Sequence, residues 1–258
     1  MPFAPVNGIE LYYEVHGSGP ALVFAHGQGG NHLVWWQQVP FFAQHYTVIT
    51  FDHRAFGRSH DADGLGRRGF GADAIALLEY LGVDDVRVVA HSMGGRAGIA
   101  ITLRSNIACR ALVLSGTNGG AVDDEIRARQ DASARARGDR GLGPFSVAPG
   151  FEERRPDLHF LYQSIGRLNP SRPRDFLALP PGFRGSTSEG LAESGTPILY
   201  LVGEHDAITP PATIELCHRI VTGSQFRVVA GAGHSSYFEA PDAFNATVLA
   251  FLQEAEAP

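Results

Sequence analysis

The apolar run Val86-Arg87-Val88-Val89 leads without a break into Ala90-His91-Ser92-Met93-Gly94, and Arg96 to Leu103 can continue as a helix. A strand that passes straight into a helix is one half of a βαβ unit, so the chain is committed to a largely parallel sheet. The turn between them is sharp, with a serine at its apex. Residues two before and two after the serine approach one another there, and both must be small. Ala90 and Gly94 meet that need, and Gly95 adds clearance. The first free helical N–H, on Met93, then points at whatever reacts with Ser92. A buried serine in a tight packing turn is the bland alternative. The partners found elsewhere in the chain decide between the two.

A hydroxyl is a poor nucleophile at neutral pH. It needs an imidazole to take its proton and a carboxylate to hold that imidazole. His234 stands on the glycine-flanked loop Gly231-Ala232-Gly233-His234, just past the strand-like Phe226-Arg227-Val228-Val229. The strand-like Pro197 to Val202 ends in Gly203-Glu204-His205-Asp206, with two carboxylates, and Asp123 and Asp124 follow an earlier strand. Serine, acid, histidine is one of the known chain orders for this arrangement. His91 adjoins the serine, but neighbours across such a turn point apart, so it reads as a packing or supporting residue. Ser235 and Ser236 read as solvated loop residues.

These motifs together resemble the α/β-hydrolase superfamily along nearly the whole chain, in particular a serine-nucleophile, esterase- or lactonase-like member with a small cap. Phe24 to Gly30 resembles the family's oxyanion segment, and Thr50 to Ser59 its next strand and turn. The resemblance implies an eight-stranded, mostly parallel sheet with helices on both faces and a helical cap insertion. It implies Ser92, Asp206 and His234 as catalytic residues. It also implies the backbone N–H groups of Gln28 and Met93 as an oxyanion hole, with His26 structural. Two positions depart from the pattern. Ala55 stands where the family has a glycine, which costs about 1 kcal/mol if φ there is positive. Ser105 to Cys109 replaces a proline-containing lead into the next strand.

At 258 residues the chain can bury a sizeable single-domain core. Its net charge of −6 argues against a nucleic-acid partner. No apolar run approaches bilayer length, the start lacks signal-peptide features, and two cysteines are too few for a disulfide framework. A cytoplasmic protein is the expectation, monomeric or homodimeric. All 21 basic residues are arginine, which reads as genomic base composition.

Glu10 to Val15 is expected as an antiparallel edge strand. Ala21–Ala25, Tyr46–Phe51, Val86–Ala90 and Ala111–Ser115 are expected as strands covered on both faces. His32–Gln44 and Gly71–Leu81 are expected as helices. Pro210 and Pro241 suit first helical positions. Phe244, Val248, Phe251 and Leu252 keep helical spacing, as in a helix packed on the sheet. The core is therefore residues 1–120 and 195–258. Residues 121–194 break the rhythm, with helical segments at Asp123–Arg137 and Leu158–Leu168. Residues 121–190 carry 11 arginines and 10 acids, net +1, against −7 for the rest. The resemblance makes this insertion a cap that roofs the site and excludes water. A surface excursion is the alternative.

Within that family a serine at the turn, rather than a carboxylate, speaks against dehalogenase and epoxide-hydrolase chemistry. No histidine, cysteine or acid cluster has metal-ligand spacing, and no phosphate or dinucleotide loop is present, so no cofactor is expected. What remains is acyl chemistry on a small-molecule ester or lactone through an acyl-enzyme. The alternatives are carbon–carbon hydrolysis of ring-cleavage dienones, a cofactor-free perhydrolase, and a ligand receptor that keeps the triad. The first is disfavoured by Gly27-Gln28-Gly29-Gly30, which is not the Gly-Pro-Gly loop of those enzymes. Arg96, one turn past Ser92, is read as pairing with a nearby carboxylate in preference to binding an acidic substrate. Trp35, Trp36, Phe160, Tyr162, Phe183, Tyr237 and Phe238 are pocket candidates, none favoured singly.

Overall fold

Short runs rich in Val, Ile, Leu and Phe become strands because their side chains fit a pleated surface covered on both sides. The computed structural model describes residues 2–172, 176 and 186–256. In it eight strands form one sheet: β1 (Phe3–Val6), β2 (Ile9–His16), β3 (Ala21–Ala25), β4 (Thr47–Phe51), β5 (Asp85–His91), β6 (Ala108–Ser115), β7 (Ile198–Gly203) and β8 (Gln225–Val229). Their order is β1-β2-β4-β3-β5-β6-β7-β8. β2 pairs antiparallel with both β1 and β4, and the pairings from β4 to β8 are parallel.

Alternation along each strand divides the core in two. Val88, Ala90, Leu112, Leu114 and Tyr200 cluster with helices α2 (Phe70–Tyr80), α3 (Gly95–Arg104) and α8 (Pro211–Ile220). Val89, Val113, Leu199 and Leu201 cluster with α1 (Val39–Phe42), α9 (Ser236–Glu239) and α10 (Pro241–Glu256) on the other face. Phe244, Val248, Phe251 and Leu252 are all buried there, as their spacing predicts.

Three expectations need correction. Glu10–Val15 lies in β2, which is not the edge, because β1 pairs outside it (Phe3 with Tyr12, Val6 with Ile9). β1 is four residues long and holds Pro5, so it lacks a readable strand signal; an edge is where proline is tolerated. His32–Gln44 is not one helix. It is a 3₁₀ turn over His32–Trp35, capped by the Asn31 side chain, followed by α1. Pro40 enforces the break, since it has no N–H to extend a helix through it. Pro210 precedes α8 as its cap, and Pro211 is the first residue; Pro241 does open α10.

Between β6 and β7 lie α4 (Asp124–Arg137), α5 (Phe151–Arg154), α6 (Pro156–Arg167) and α7 (Ser188–Glu193). The Asp123 carboxylate caps α4 by accepting the Ile126 amide at 2.8 Å. α6 is tied to the core where Asn31 Nδ2 donates to the Ile165 carbonyl at 3.0 Å. Phe183 lies outside the described residues. No helix among the described residues is long and apolar enough to cross a membrane.

Candidate active site

β5 delivers Ser92 to the carboxyl end of the sheet, where ligands of open α/β sheets gather. Ser92 has φ +50°, a left-handed conformation that costs a non-glycine residue about 1–2 kcal/mol. The chain around it is packed so closely that its glycine neighbours have no room for a side chain. A Cβ on Gly94 would run into the Ala25 carbonyl oxygen, and one on Gly95 would meet Thr117 Oγ1 at 2.9 Å. Gly27 is equally constrained, 2.7 Å from His91 Cδ2 by the same construction.

β7 and β8 deliver the other two groups, and their loops are stitched together. The Glu204 amide donates to Val229 at 3.0 Å and the His205 amide to Ala232 at 2.8 Å. Gly203 lies so close under this loop that a Cβ would strike the Gly233 carbonyl oxygen. The result is one line of atoms. His234 Nδ1 is 2.7 Å from Asp206 Oδ2, and His234 Nε2 is 2.9 Å from Ser92 Oγ. Asp206 and His234 are buried, at 3% and 5% exposure, so the bond between them is shielded from water, while Ser92 is half-buried and lines a cavity. Asp206 is also fully occupied. Oδ1 accepts the amides of Ile208 and Thr209, and Oδ2 accepts the Thr209 hydroxyl, all at 2.8 Å. A carboxylate can only accept, so Nδ1 carries the imidazole proton and Nε2 is left to accept from the serine.

The rival acids are elsewhere. Glu204 is exposed and accepts the Gly231 amide at 2.8 Å, Asp123 caps α4, and Asp124 is an exposed residue in the first turn of α4. The Gln28 and Met93 amides donate to no described residue. The loop carrying Gln28 is held from behind by Asn169, whose Nδ2 donates to the carbonyls of Gly29 (3.4 Å) and Gly30 (3.2 Å). Asn169 Oδ1 accepts the Gly57 amide at 2.8 Å.

Two buried histidines frame the site. His26 Nδ1 donates to the Gly27 carbonyl at 2.8 Å and Nε2 accepts the His53 amide at 3.1 Å, bracing the loop. Burial pushes His26 down to about 4. His91 donates to the Ser115 carbonyl at 3.1 Å and sits edge-on to Tyr237, 4.8 Å between ring centres. Burial and the neighbouring His234 hold it well below the usual histidine range. It is a packing group, as its position on the turn implies.

Ser235 and Ser236 are not solvated; both are buried. Residues 143–148 and α6 cover them. The Ser235 hydroxyl lies 2.8 Å from the Tyr162 hydroxyl, and its amide donates to Ser146 at 3.0 Å. Nothing in a local loop sequence announces a cover that arrives from 70 to 90 residues away. Glu239 is a second residue without a sequence signal. Its carboxylate accepts the amides of Ala148 (2.7 Å) and Gly233 (3.0 Å), joining the histidine loop to the segment above it. Burial raises its carboxyl above the usual range.

A cavity of about 770 Å³ opens beside Ser92 and Met93. Its described walls come from α3, from residues 117–122, from α4, and from Arg67, Ser186 and Thr187. None of the six described aromatic candidates lines it. Trp35 and Tyr237 pack against each other in the core with tilted rings, 4.5 Å between centres, and Phe160 is 68% exposed. Among the described residues no group of three or more His, Cys, Asp or Glu is placed to hold a metal ion.

A family model described as alpha/beta hydrolase fold matches residues 20–241. The chain is 29% identical to a protein of Azorhizobium caulinodans that is provisionally named a carbamate hydrolase, over 98% of this chain and 99% of that protein. It is also 29% identical to 3-oxoadipate enol-lactonase 2 of Acinetobacter baylyi, over 95% and 94% respectively. Among solved structures, Est816, described as an N-acyl homoserine lactone degrading enzyme, matches with a TM-score of 0.78 at 26% identity, over 97% of this chain and all of that one. The chain belongs to the alpha/beta hydrolase fold family and is a hydrolase.

Proposed function

We propose that this hydrolase cleaves a carboxylic ester or lactone of a small organic molecule, with Ser92 as nucleophile. The observation that carries the reading is the unbroken line from Asp206 through His234 to Ser92, at 2.7 and 2.9 Å. Ser92 Oγ attacks the carbonyl carbon while Nε2 of His234 takes its proton. Asp206 keeps the ring in the tautomer that can do so and stabilises the imidazolium. The carbonyl oxygen becomes an oxyanion between the Gln28 and Met93 amides. As the C–O bond breaks, His234 returns the proton to the departing alkoxide. Water, deprotonated by the same nitrogen, then attacks the acyl-enzyme, and the acid leaves with Ser92 restored. For a lactone the departing alkoxide stays tethered, and the product is a hydroxy acid. The likeness to an enol-lactonase and to a lactone-degrading enzyme supports this choice of bond. The described helices between β6 and β7, α4 to α7, serve in this reading as the cap that limits bulk water at the acyl-enzyme.

Ser92→Ala tests the reading. With 4-nitrophenyl butyrate, kcat is expected to fall by at least about 10³-fold, with an unchanged circular dichroism spectrum. A fluorophosphonate should label the native chain at Ser92 and leave the variant unlabelled. Turnover undiminished in the variant overturns the nucleophile. An inert native chain across a panel of esters and lactones, with tight binding of one of them, transfers the fold to a receptor role.

A further inference from the structure

The loop Gly27-Gln28-Gly29-Gly30 folds back on itself, with the Gly30 amide donating to the Gly27 carbonyl at 3.1 Å. A trans peptide holds its C=O and N–H in one plane and aims them in opposite directions. The Gly27 carbonyl and the Gln28 N–H are the two ends of one such unit, so whatever grips the carbonyl also aims the amide. The Gly29 carbonyl and the Gly30 N–H are the two ends of another. That Gly29 carbonyl accepts from Nδ2 of Asn169 at 3.4 Å, and the Gly30 carbonyl accepts from the same nitrogen at 3.2 Å.

These bonds run head to tail. Asn169 Nδ2 donates to Gly29, Gly30 donates to Gly27, and the Gln28 N–H, which donates to no described residue, ends the train. Donors aligned in this way polarise one another, each link strengthening the next by about 10–30%. The orientation of the Asn169 side chain is forced. Its Oδ1 accepts the Gly57 amide at 2.8 Å, which only the oxygen can do, so the nitrogen faces the two carbonyls. The position of Asn169 is fixed as well. Its own amide donates to the Gly166 carbonyl at 3.3 Å, and Gly166 packs so closely on the loop that a Cβ there would lie 3.1 Å from the Gly29 oxygen.

Resting on the reading of the Gln28 and Met93 amides as the oxyanion hole, we infer that Asn169 is a positioning residue for the reaction. From beyond the end of α6 it aims and polarises the Gln28 N–H that meets the developing oxyanion. The Gly27 carbonyl has a second donor, His26 Nδ1 at 2.8 Å, so the loss of Asn169 weakens the amide without abolishing its aim. Removing an oxyanion donor outright costs about 10²–10³-fold in kcat, so the loss of Asn169 is expected to cost about 10-fold.

Asn169→Leu keeps the bulk of the side chain and removes both polar ends. On 4-nitrophenyl butyrate its kcat is expected to fall about 10-fold while KM stays within about 2-fold. A trifluoromethyl ketone of matching chain length, whose hemiketal with Ser92 carries the oxyanion, should bind about 10-fold more weakly. In amide spectra of isotope-labelled protein the Gly30 and Gln28 proton resonances should move upfield, and that of Met93, the other donor, should stay in place. Asn169→Asp keeps the acceptor for Gly57 and loses only the donor; it should show the same changes, and it decides if Asn169→Leu does not fold. A fall in kcat with undiminished affinity for the ketone overturns the inference, and so does an unmoved Gly30 resonance. If the native chain cleaves no ester, the ester-hydrolase reading fails by itself and the amide spectra still decide the relay. Shifts at Gly30 and Gln28 support it, and their absence overturns it.

Discussion

Ser92 Oγ and Asp206 Oδ2 lie on opposite sides of one imidazole, and each depends on which nitrogen carries the proton. Asp206→Asn presents that choice to experiment. An amide oriented to donate turns the ring over to the wrong tautomer, and the neighbouring Thr209 hydroxyl and the two backbone amides keep the side chain in place. The expected loss in kcat is about 10²–10⁴-fold with little change in melting temperature. Initial rates on 4-nitrophenyl butyrate and a thermal melt check both halves. At this scale much of the site was legible in the sequence. Ser92 and His234 each follow an apolar strand-like run and stand among small residues, while Asp206 is separated from Glu204, Asp123 and Asp124 by the family resemblance. Ser235, Glu239 and Asn169 were not legible, since each takes its meaning from a partner far away in the chain.

Among the elements, the turn after β4 is fastened to α2 by a buried ion pair. Arg54 is fully buried and donates to both oxygens of Asp73, at 2.6 and 2.8 Å, and to Asp61 and Asp63 at 3.0 and 2.6 Å. Asp73 also accepts from Asn7 in the turn joining β1 and β2, at 3.0 Å. Such a pair adds little over a well-packed apolar substitute, but removing one partner leaves a charge stranded. Asp73→Ala is expected to destabilise the fold by about 3–5 kcal/mol, read from urea denaturation at pH 7.5. A loss under 1 kcal/mol would mean that Asp61 and Asp63 carry Arg54 unaided. The positions of α2 and the parallel strands follow from short apolar runs alternating with helix-length stretches. β1 and the broken helix at 32–44 do not, because both turn on a proline whose effect depends on what lies beside it. Ala55 does adopt φ +63°, so the departure from a glycine at that position is a real conformational cost within this turn.

For the molecule as a whole, three imidazoles are sealed in the core as neutral groups. His26 is brought down to about 4, and His53 and His91 well below their usual range, each chiefly by burial. The unfolded chain binds protons on these rings near pH 6.5, whereas the folded chain resists until far lower pH. Stability from this source is therefore full above pH 6.5 and is lost as pH falls toward 4. His26 alone accounts for about 2 kcal/mol between pH 6.5 and 4.5, and the other two add to it. Urea midpoints across that interval should fall steadily, and His53→Phe should flatten the fall, because phenylalanine takes up no proton while keeping the stack on Phe70, whose ring centre lies 4.6 Å away. A flat profile would place the protonation of all three rings outside this range.

Asn169 touches Gly29, Gly30, Asn31 and Gly57 at once, from just beyond the end of α6. One amide side chain thus couples the overhanging helices to the strip of backbone that carries Gln28. Under the proposed mechanism, whatever fixes the seat of α6 also fixes the loop that presents the Gln28 amide, so a change at the roof is felt at the carbonyl.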